Sequence, residues 1–228
     1  YEMGGMYSYL AQLNAEKRKL LQHIETFLID RMSGLVNSRN VRSSSDCLST
    51  QDYLHCLYFE TEISVLLSEA LSDLYALLSH CGLLKSARRP FAEAQLVHEA
   101  RMKPYVAVTD PPLPDLKSME SAQIVEGSLT DAVAKIEARV PPIKAQLAKL
   151  KTFSPQAGKY VGTETRWKAQ IKQLETTCVA IFVGASLLKR TVEKDSEDVR
   201  GKLEVTIPPP GKRYHDWWVV PQIKPKKV

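Results

Sequence analysis

Eight residues from Trp167 to Val192 constrain this chain more than any other feature of it. Trp167, Ile171, Leu174, Cys178, Ile181, Ala185, Leu188 and Val192 follow one another at intervals of four, three, four, three, four, three and four. In an α-helix such steps keep every side chain on one narrow stripe, and more than three heptads of it describe a seam that packs on another helix. A strand cannot use this period, because its side chains change face at every residue.

A second seam precedes the first. Leu129, Val133, Ile136, Val140, Ile143, Leu147 and Leu150 keep the same alternation of fours and threes. Pro141 and Pro142 interrupt it chemically, since each lacks an amide donor, so the helix is expected to kink or restart at Pro141 with both pieces facing one partner. The connection holding Gly158 and Gly162 is short, and the two seams are expected to close as an antiparallel hairpin.

The first half of the chain is helical by the same argument. From Met6 to Val36 an apolar row runs through Met6, Leu10, Leu13, Leu20, Ile24 and Phe27, then shifts by one residue to Leu28, Met32 and Leu35. Lys17 occupies one position of that row, its stem along the seam and its ammonium in water. Asn37 to Thr50 is polar, with Ser43, Ser44 and Ser45 in succession, and reads as a solvated connection. Ser49 followed by Asp52 resembles an N-terminal capping signature. It opens a helix from about Asp52 to Cys81 with a broad apolar face that includes Cys56, Ile63, Leu67, Leu74 and Leu78. A broad face needs more than one neighbour, which places this helix centrally, and Gly82 ends it.

Pro90 suits the first turn of a shorter helix reaching about Met102. Pro104, Pro111, Pro112 and Pro114 then exclude helix and mark the main internal boundary. After Arg200 the pattern changes again. Leu203, Val205 and Ile207 alternate with polar residues like a short strand, Pro208 to Gly211 follow, and Tyr214, Trp217 and Trp218 precede a lysine-rich end.

The expected fold is therefore all-α, with elongated helical hairpins forming a coiled-coil-like bundle and an extended C-terminal arm. It divides into an N-terminal helical region (1–103), a proline-rich linker (104–117), a C-terminal hairpin (118–200) and the arm (201–228).

Charge narrows the partners. The chain carries 31 basic and 26 acidic residues, largely interleaved, and its 44% hydrophobic content excludes wholesale disorder. Interleaving describes a mixed solvated surface better than a nucleic-acid face. The arm is the exception, because Lys212, Arg213, Lys224, Lys226 and Lys227 are opposed only by Asp216. Cys47, Cys56, Cys81 and Cys178 form no CxxC pair and read as small hydrophobes in a reducing compartment. Together with the lack of an Asn-x-Ser/Thr acceptor, they suggest an intracellular, cytoplasmic or cytoskeletal setting, with an organelle such as the mitochondrion as the other option. Cys178 to Leu188 is about half the ~20 residues that a spanning helix needs, so no transmembrane segment is expected.

Chemical motifs are sparse. Gly158-Lys159 lacks the first glycine of a phosphate loop and has Tyr160 where Ser or Thr binds magnesium. His55-Cys56 and His80-Cys81 resemble two pairs of metal ligands, but on one unbroken helix they stand ~37 Å apart. Glu60 and Glu62, two residues apart, cannot share a helix face. No catalytic, cofactor or metal residues are assigned, and the expected function is that of a non-enzymatic scaffold subunit of a multi-protein assembly. Its partners would be other helical subunits. The partner-binding residues are Trp167, Ile171, Leu174, Ile181 and Leu188 on the seam, with Tyr214, Trp217, Trp218, Lys224, Lys226 and Lys227 on the arm. The arm has a second reading, in which the tryptophans fold back on this chain. An adaptor that grips nucleic acid or an acidic polymer through the tail is the alternative function.

Overall fold

Two long rods open the chain: α1 (Glu2–Val36) and α2 (Val41–His80). At the usual rise they are roughly 50 and 60 Å long. The computed structural model describes residues 2–36, 41–84, 129–152, 164–194, 199–209 and 218–226. The expected helix at Pro90–Met102, the linker at 104–117, the start of the second half near Ser118 and the Gly158–Gly162 loop lie outside them.

α2 is helical from Val41, so the serine-rich segment is part of the rod rather than a connection. Ser49 is buried inside the rod, eight residues past its start, rather than at a helix N-terminus. Serine is only weakly unfavourable inside a helix, and packing along the length of α2 outweighs that preference. The C-terminal end matches expectation. Gly82 takes φ 62°, a left-handed conformation that glycine adopts without a Cβ penalty. The amide of Leu83 then donates to Leu78 O at 2.9 Å and that of Gly82 to Ser79 O at 2.9 Å, satisfying carbonyls at the helix end.

α1 packs along α2 by a different face from the apolar row. Tyr7, Ala11 and Leu21 are buried, whereas Leu20 is 60% and Phe27 65% exposed. The buried or half-buried set Tyr7, Ala11, Asn14, Arg18, Leu21, Glu25 and Leu28 also keeps the four–three period, one residue out of step with the expected row. The reason lies on α2. Its ridge toward α1 is made of small residues, and Ser72 Oγ donates to Gly4 O on α1 at 2.9 Å. Buried Thr61, Ser64 and Ser68 each return their hydroxyl to the carbonyl four residues earlier, at 2.6, 2.9 and 2.6 Å. Their polar atoms are thus satisfied within α2, and close approach costs little desolvation.

The second half supplies α3 (Leu129–Ala138), α4 (Val140–Lys151) and α5 (Glu164–Lys194). α3 stops at Arg139, and α4 restarts with proline in its first turn, where the missing amide donors have no intrahelical acceptor to lose. Register survives the break: Val133, Ile136, Ile143, Leu147 and Leu150 are all buried. α3 and α4 pack against α5 and also against α2. Their ion pairs with α5 run in opposite senses, Glu137 with Lys189 at 3.7 Å and Lys151 with Glu175. One core cluster joins Tyr7, the α2 face, both seams and Leu203. α2 is its centre, as the breadth of its apolar face implied.

The arm is not extended away from the helices. A one-turn helix α6 (Val199–Lys202) leads into β1 (Leu203–Thr206), which pairs antiparallel with β2 (Gln222–Pro225). Leu203 faces Pro225 and Val205 faces Ile223 in that register. β2 lies against α5 at Gly184, where a Cβ would stand 3.2 Å from Ile223 Cδ1, so the absence of a side chain lets the strand approach. A two-stranded ribbon is marginal alone, and this one is held by the helix beneath it.

Candidate interaction surface

α2 carries the polar side of the assembly as well as its apolar centre. Arg18 Nη1 donates to Glu62 Oε1 at 2.7 Å, and Lys17 reaches Glu60 at 3.4 Å. Gln170 on α5 donates to the other oxygen of Glu60 at 2.7 Å, while Gln146 on α4 reaches Glu62 at 3.4 Å. His55 pairs with Glu25. Further along, Arg139 forks between Glu69 at 3.1 Å and Asp73 at 2.6 Å. Glu60 and Glu62 thus share α1 as a neighbour, through Lys17 and Arg18, and diverge to α5 and α4 for their second partner. Acids on α2 matched by donors on α1, α4 and α5 and at the α3–α4 break fix how the rods slide past one another. Tyr58, near Glu62, has its phenol pushed up by burial first and by that carboxylate second. α2 runs unbroken between Cys56 and His80, so the two His-Cys pairs stay at separate points of one rod.

The returning arm is keyed to both long rods through one peptide unit. Tyr75 Oη donates to Val219 O at 2.8 Å, and Val219 N donates to Tyr7 Oη at 2.7 Å. Trp218 stacks on Tyr7 with ring centroids 6.2 Å apart, and Tyr7 stacks on Tyr75 at 6.0 Å. Burial pushes the Tyr7 phenol up to about 12 and moves Tyr75 in the same direction. Tyr75 uses its retained proton to donate to Val219 O, whereas Tyr7 accepts through its oxygen, so the bond to Val219 N opposes part of the upward shift at Tyr7. Beside this clasp a groove of about 550 Å³ opens between α5 and the arm, lined by Thr177, Val183, Gly184, Pro208, Trp218 and Ile223 among others.

The sequence-derived partner residues separate into three groups. Trp167, Ile171, Leu174, Ile181 and Leu188 are buried in this chain's own core, covered by its own helices, so they are not a face offered to another subunit. Trp218 is half-buried and packs back on Tyr7, which answers for this residue the choice between partner and own chain. Lys224 sits opposite Glu204 in the ribbon, and Lys226 is drawn back by its amide to Lys202 O at 2.7 Å and by its ammonium to Arg200 O at 2.5 Å. Tyr214, Trp217 and Lys227 lie outside the described residues.

Solvent instead meets a face of α5 that the seam analysis passed over. Val179, Phe182 and Val183 are 59%, 39% and 57% exposed. Their signal was present as apolar residues lying off the seam, in positions a solvated helix face fills with polar groups. By length and composition alone, Trp167–Lys194 would pass for a membrane span, although its seam is core here. Charge is also less interleaved in space than along the chain. Among the described side chains α2 holds Asp52, Glu60, Glu62, Glu69 and Asp73, whereas α4 has Lys144, Lys149 and Lys151 and no acid.

Helical rods around one central acidic helix, tied by a polar ladder and carrying leftover apolar faces, form an all-α packing unit. Two crystal structures of the NatC complex, one bound to Gag peptide and CoA and one bound to CoA, contain a chain of similar fold. The TM-score is 0.57 in each, at 18% and 19% identity, over 97% of this chain. That is 38% and 37% of the chain matched, so the present sequence spans well under half its length. No family model and no curated protein matches.

Proposed function

We propose that this chain is a non-catalytic helical scaffold within a multi-protein assembly, in a setting akin to the NatC complex. The observation that carries the reading is the continuous likeness to a chain of that complex, over 97% of the present sequence. Two physical features support it. Met6, Leu20, Ile24 and Phe27 on α1 and Val179, Phe182 and Val183 on α5 remain uncovered by the described residues, and such faces are commonly completed by a neighbour. The polar ladder spends its carboxylates on register between helices, a structural use of acids that fits a scaffold better than an active site. Free thiols at Cys56, Cys81 and Cys178 support an intracellular location.

The test is to isolate the tagged chain from its source at moderate and high salt, and to measure the mass of what comes with it. A stoichiometric complex of defined protein subunits that binds CoA, with the isolated chain binding none, supports the reading. A monomer that unfolds cooperatively and retains no subunit at either salt removes it. An adaptor that uses the basic tail draws less support, because Lys226 is held by this chain. That alternative predicts nucleic-acid affinity falling steeply with salt and lost on neutralising Lys224, Lys226 and Lys227.

A further inference from the structure

The exposed face of α5 is apolar at its centre and flanked by more cations than acids. Val179, Phe182 and Val183 form the centre. Lys168 and Lys172 lie on the same side toward the N-terminus of α5, and Arg190 follows seven residues after Val183; the acids on this side are Glu175, which Lys151 already neutralises, and Glu193 near the helix end. Lys144 of α4 lies seven residues from both Glu137 and Lys151, which pair across to Lys189 and Glu175, so it adds a further cation alongside the middle of α5. None of Lys144, Lys168, Lys172 and Arg190 has an acidic partner among the described residues, in contrast to Lys151, matched by Glu175, and Lys189, matched by Glu137. The stretch from Lys168 to Arg190 is roughly 33 Å of helix, about the reach of three heptads on a facing rod.

We propose that this face binds an acidic amphipathic helix of a partner protein, with the partner's apolar stripe over Val179, Phe182 and Val183 and its flanking carboxylates on Lys168, Lys172, Lys144 and Arg190. The inference rests on the scaffold reading and adds the chemistry of the partner. Charge decides among the occupants. A second copy would bring the same cations against this rim, and like charges set face to face oppose association. A polar or basic helix would bury Val179 and Val183 and leave four cations unmatched. An acidic helix satisfies both centre and rim, in the way that flanking e and g charges select partners in paired helices.

The probes are two synthetic peptides of three heptads, with Leu at the seam positions and either Glu or Lys at the flanks, and vesicles of mixed phosphatidylserine and phosphatidylcholine. The full chain is titrated with each, at low and high salt. The expected result is saturable binding of the Glu peptide, weakened about tenfold or more by salt, with the Lys peptide and the vesicles unbound. Phe182→Asp removes that binding while leaving the circular dichroism and melting temperature in place, since Phe182 is not core. Lys172→Glu with Arg190→Glu transfers preference to the Lys peptide, a gain that a damaged fold does not produce. Equal binding of both peptides, binding of the vesicles instead, or no binding at all overturns the proposal. Failure here, with the stoichiometric complex still recovered from the source, removes the acidic-helix assignment and leaves the scaffold reading standing.

Discussion

The two interfaces that α2 and its neighbours make are built by opposite means. Where α1 meets α2, the contact is long but thin in apolar mass. Gly4, Ala11, Ser68 and Ser72 let the rods come close, Arg18 and Glu25 sit on the seam, and the larger apolar residues Leu20 and Phe27 face away. Where α3 and α4 meet α5, every seam position from Val133 to Leu150 and from Trp167 to Leu188 is apolar, and all but the partly buried Val140 are buried. Apolar burial contributes without regard to direction, at roughly 25 cal/mol per Å², so the second interface is expected to carry most of the stability. Partly buried ion pairs add little net energy and are sensitive to geometry, so the first is expected to carry register.

The strongest blow to this contrast comes from the seam of α5. Ile181 is 2% exposed, and Ile181→Asp places a carboxylate in the core with no cation to receive it. A loss on the order of 4 kcal/mol or more is expected, enough to unfold a domain of ordinary stability. Lys189→Asp, outside the seam, exchanges a 3.7 Å pair with Glu137 for a like-charge contact and is expected to cost under about 1 kcal/mol. Urea unfolding of both variants measures the gap. Similar costs would mean that the α5 seam is not the source of stability.

Alkaline titration strikes the other side. Tyr7, on the α1 face of the clasp, has its phenol raised by burial from 10.0 to about 12. A group whose folded value is raised binds its proton more tightly when folded, so its stabilisation is complete below pH 10 and is lost as pH climbs through 12. That is about 2 to 3 kcal/mol for Tyr7. The Cys56 thiol, raised by burial from 9.0 to about 12, adds in the same direction from pH 9 upward. Unfolding midpoints measured from pH 8 to 12, with tyrosinate absorbance as the second signal, are expected to fall above pH 9 and to steepen above 10. In Tyr7→Phe, the part of that fall due to Tyr7 disappears and Val219 loses its acceptor.

Arginine removal gives a smaller effect and distinguishes the two kinds of contact. Arg139→Ala leaves Glu69 and Asp73 without their shared cation at the α3–α4 break, for about 1 to 2 kcal/mol. Arg18→Ala frees Glu62, which keeps Tyr58 and Gln146 as donors at 3.3 and 3.4 Å, and is expected to cost under 1 kcal/mol. An Arg18 effect larger than that of Arg139 would shift the weight of stability toward α1.

The seams of the second half were legible because heptad spacing and apolar chemistry agreed at each position from Leu129 to Leu188, and because proline at a helix start preserves register. Gly82 was legible for the same kind of reason, since one residue type serves one backbone conformation. α1 was not. It holds two rows of the same period one residue apart, and hydrophobicity alone selects the one containing Met6, Leu20, Ile24 and Phe27. The deciding information sits on another helix, in the small ridge of Ser64, Ser68 and Ser72, and no local pattern on α1 reveals it. The fold-back of the arm was hidden similarly. Leu203, Val205 and Ile207 announced one strand, but its partner, Gln222–Pro225, carries a proline and a lysine and has the composition of a tail. The candidate surface on α5 was missed because the seam drew the eye to the residues that the chain itself covers.

The smallest expected effect is the sharpest test of which row on α1 is the packed one. Phe27→Ser removes a large aromatic ring from a position 65% exposed, and its cost in the isolated chain is expected to stay within about 0.5 kcal/mol. Leu21→Ser, six residues away on the buried row, removes a smaller side chain and is expected to cost about 2 kcal/mol, from lost transfer energy plus the cavity left against α2. The volumes argue one way and the register the other, so the order of the two costs is diagnostic. If thermal unfolding ranks Phe27→Ser above Leu21→Ser, α1 packs by its apolar row after all. Its pairing with α2 through Arg18 and Gly4 would then be an alternative docking, and the contrast between a polar and an apolar interface would dissolve.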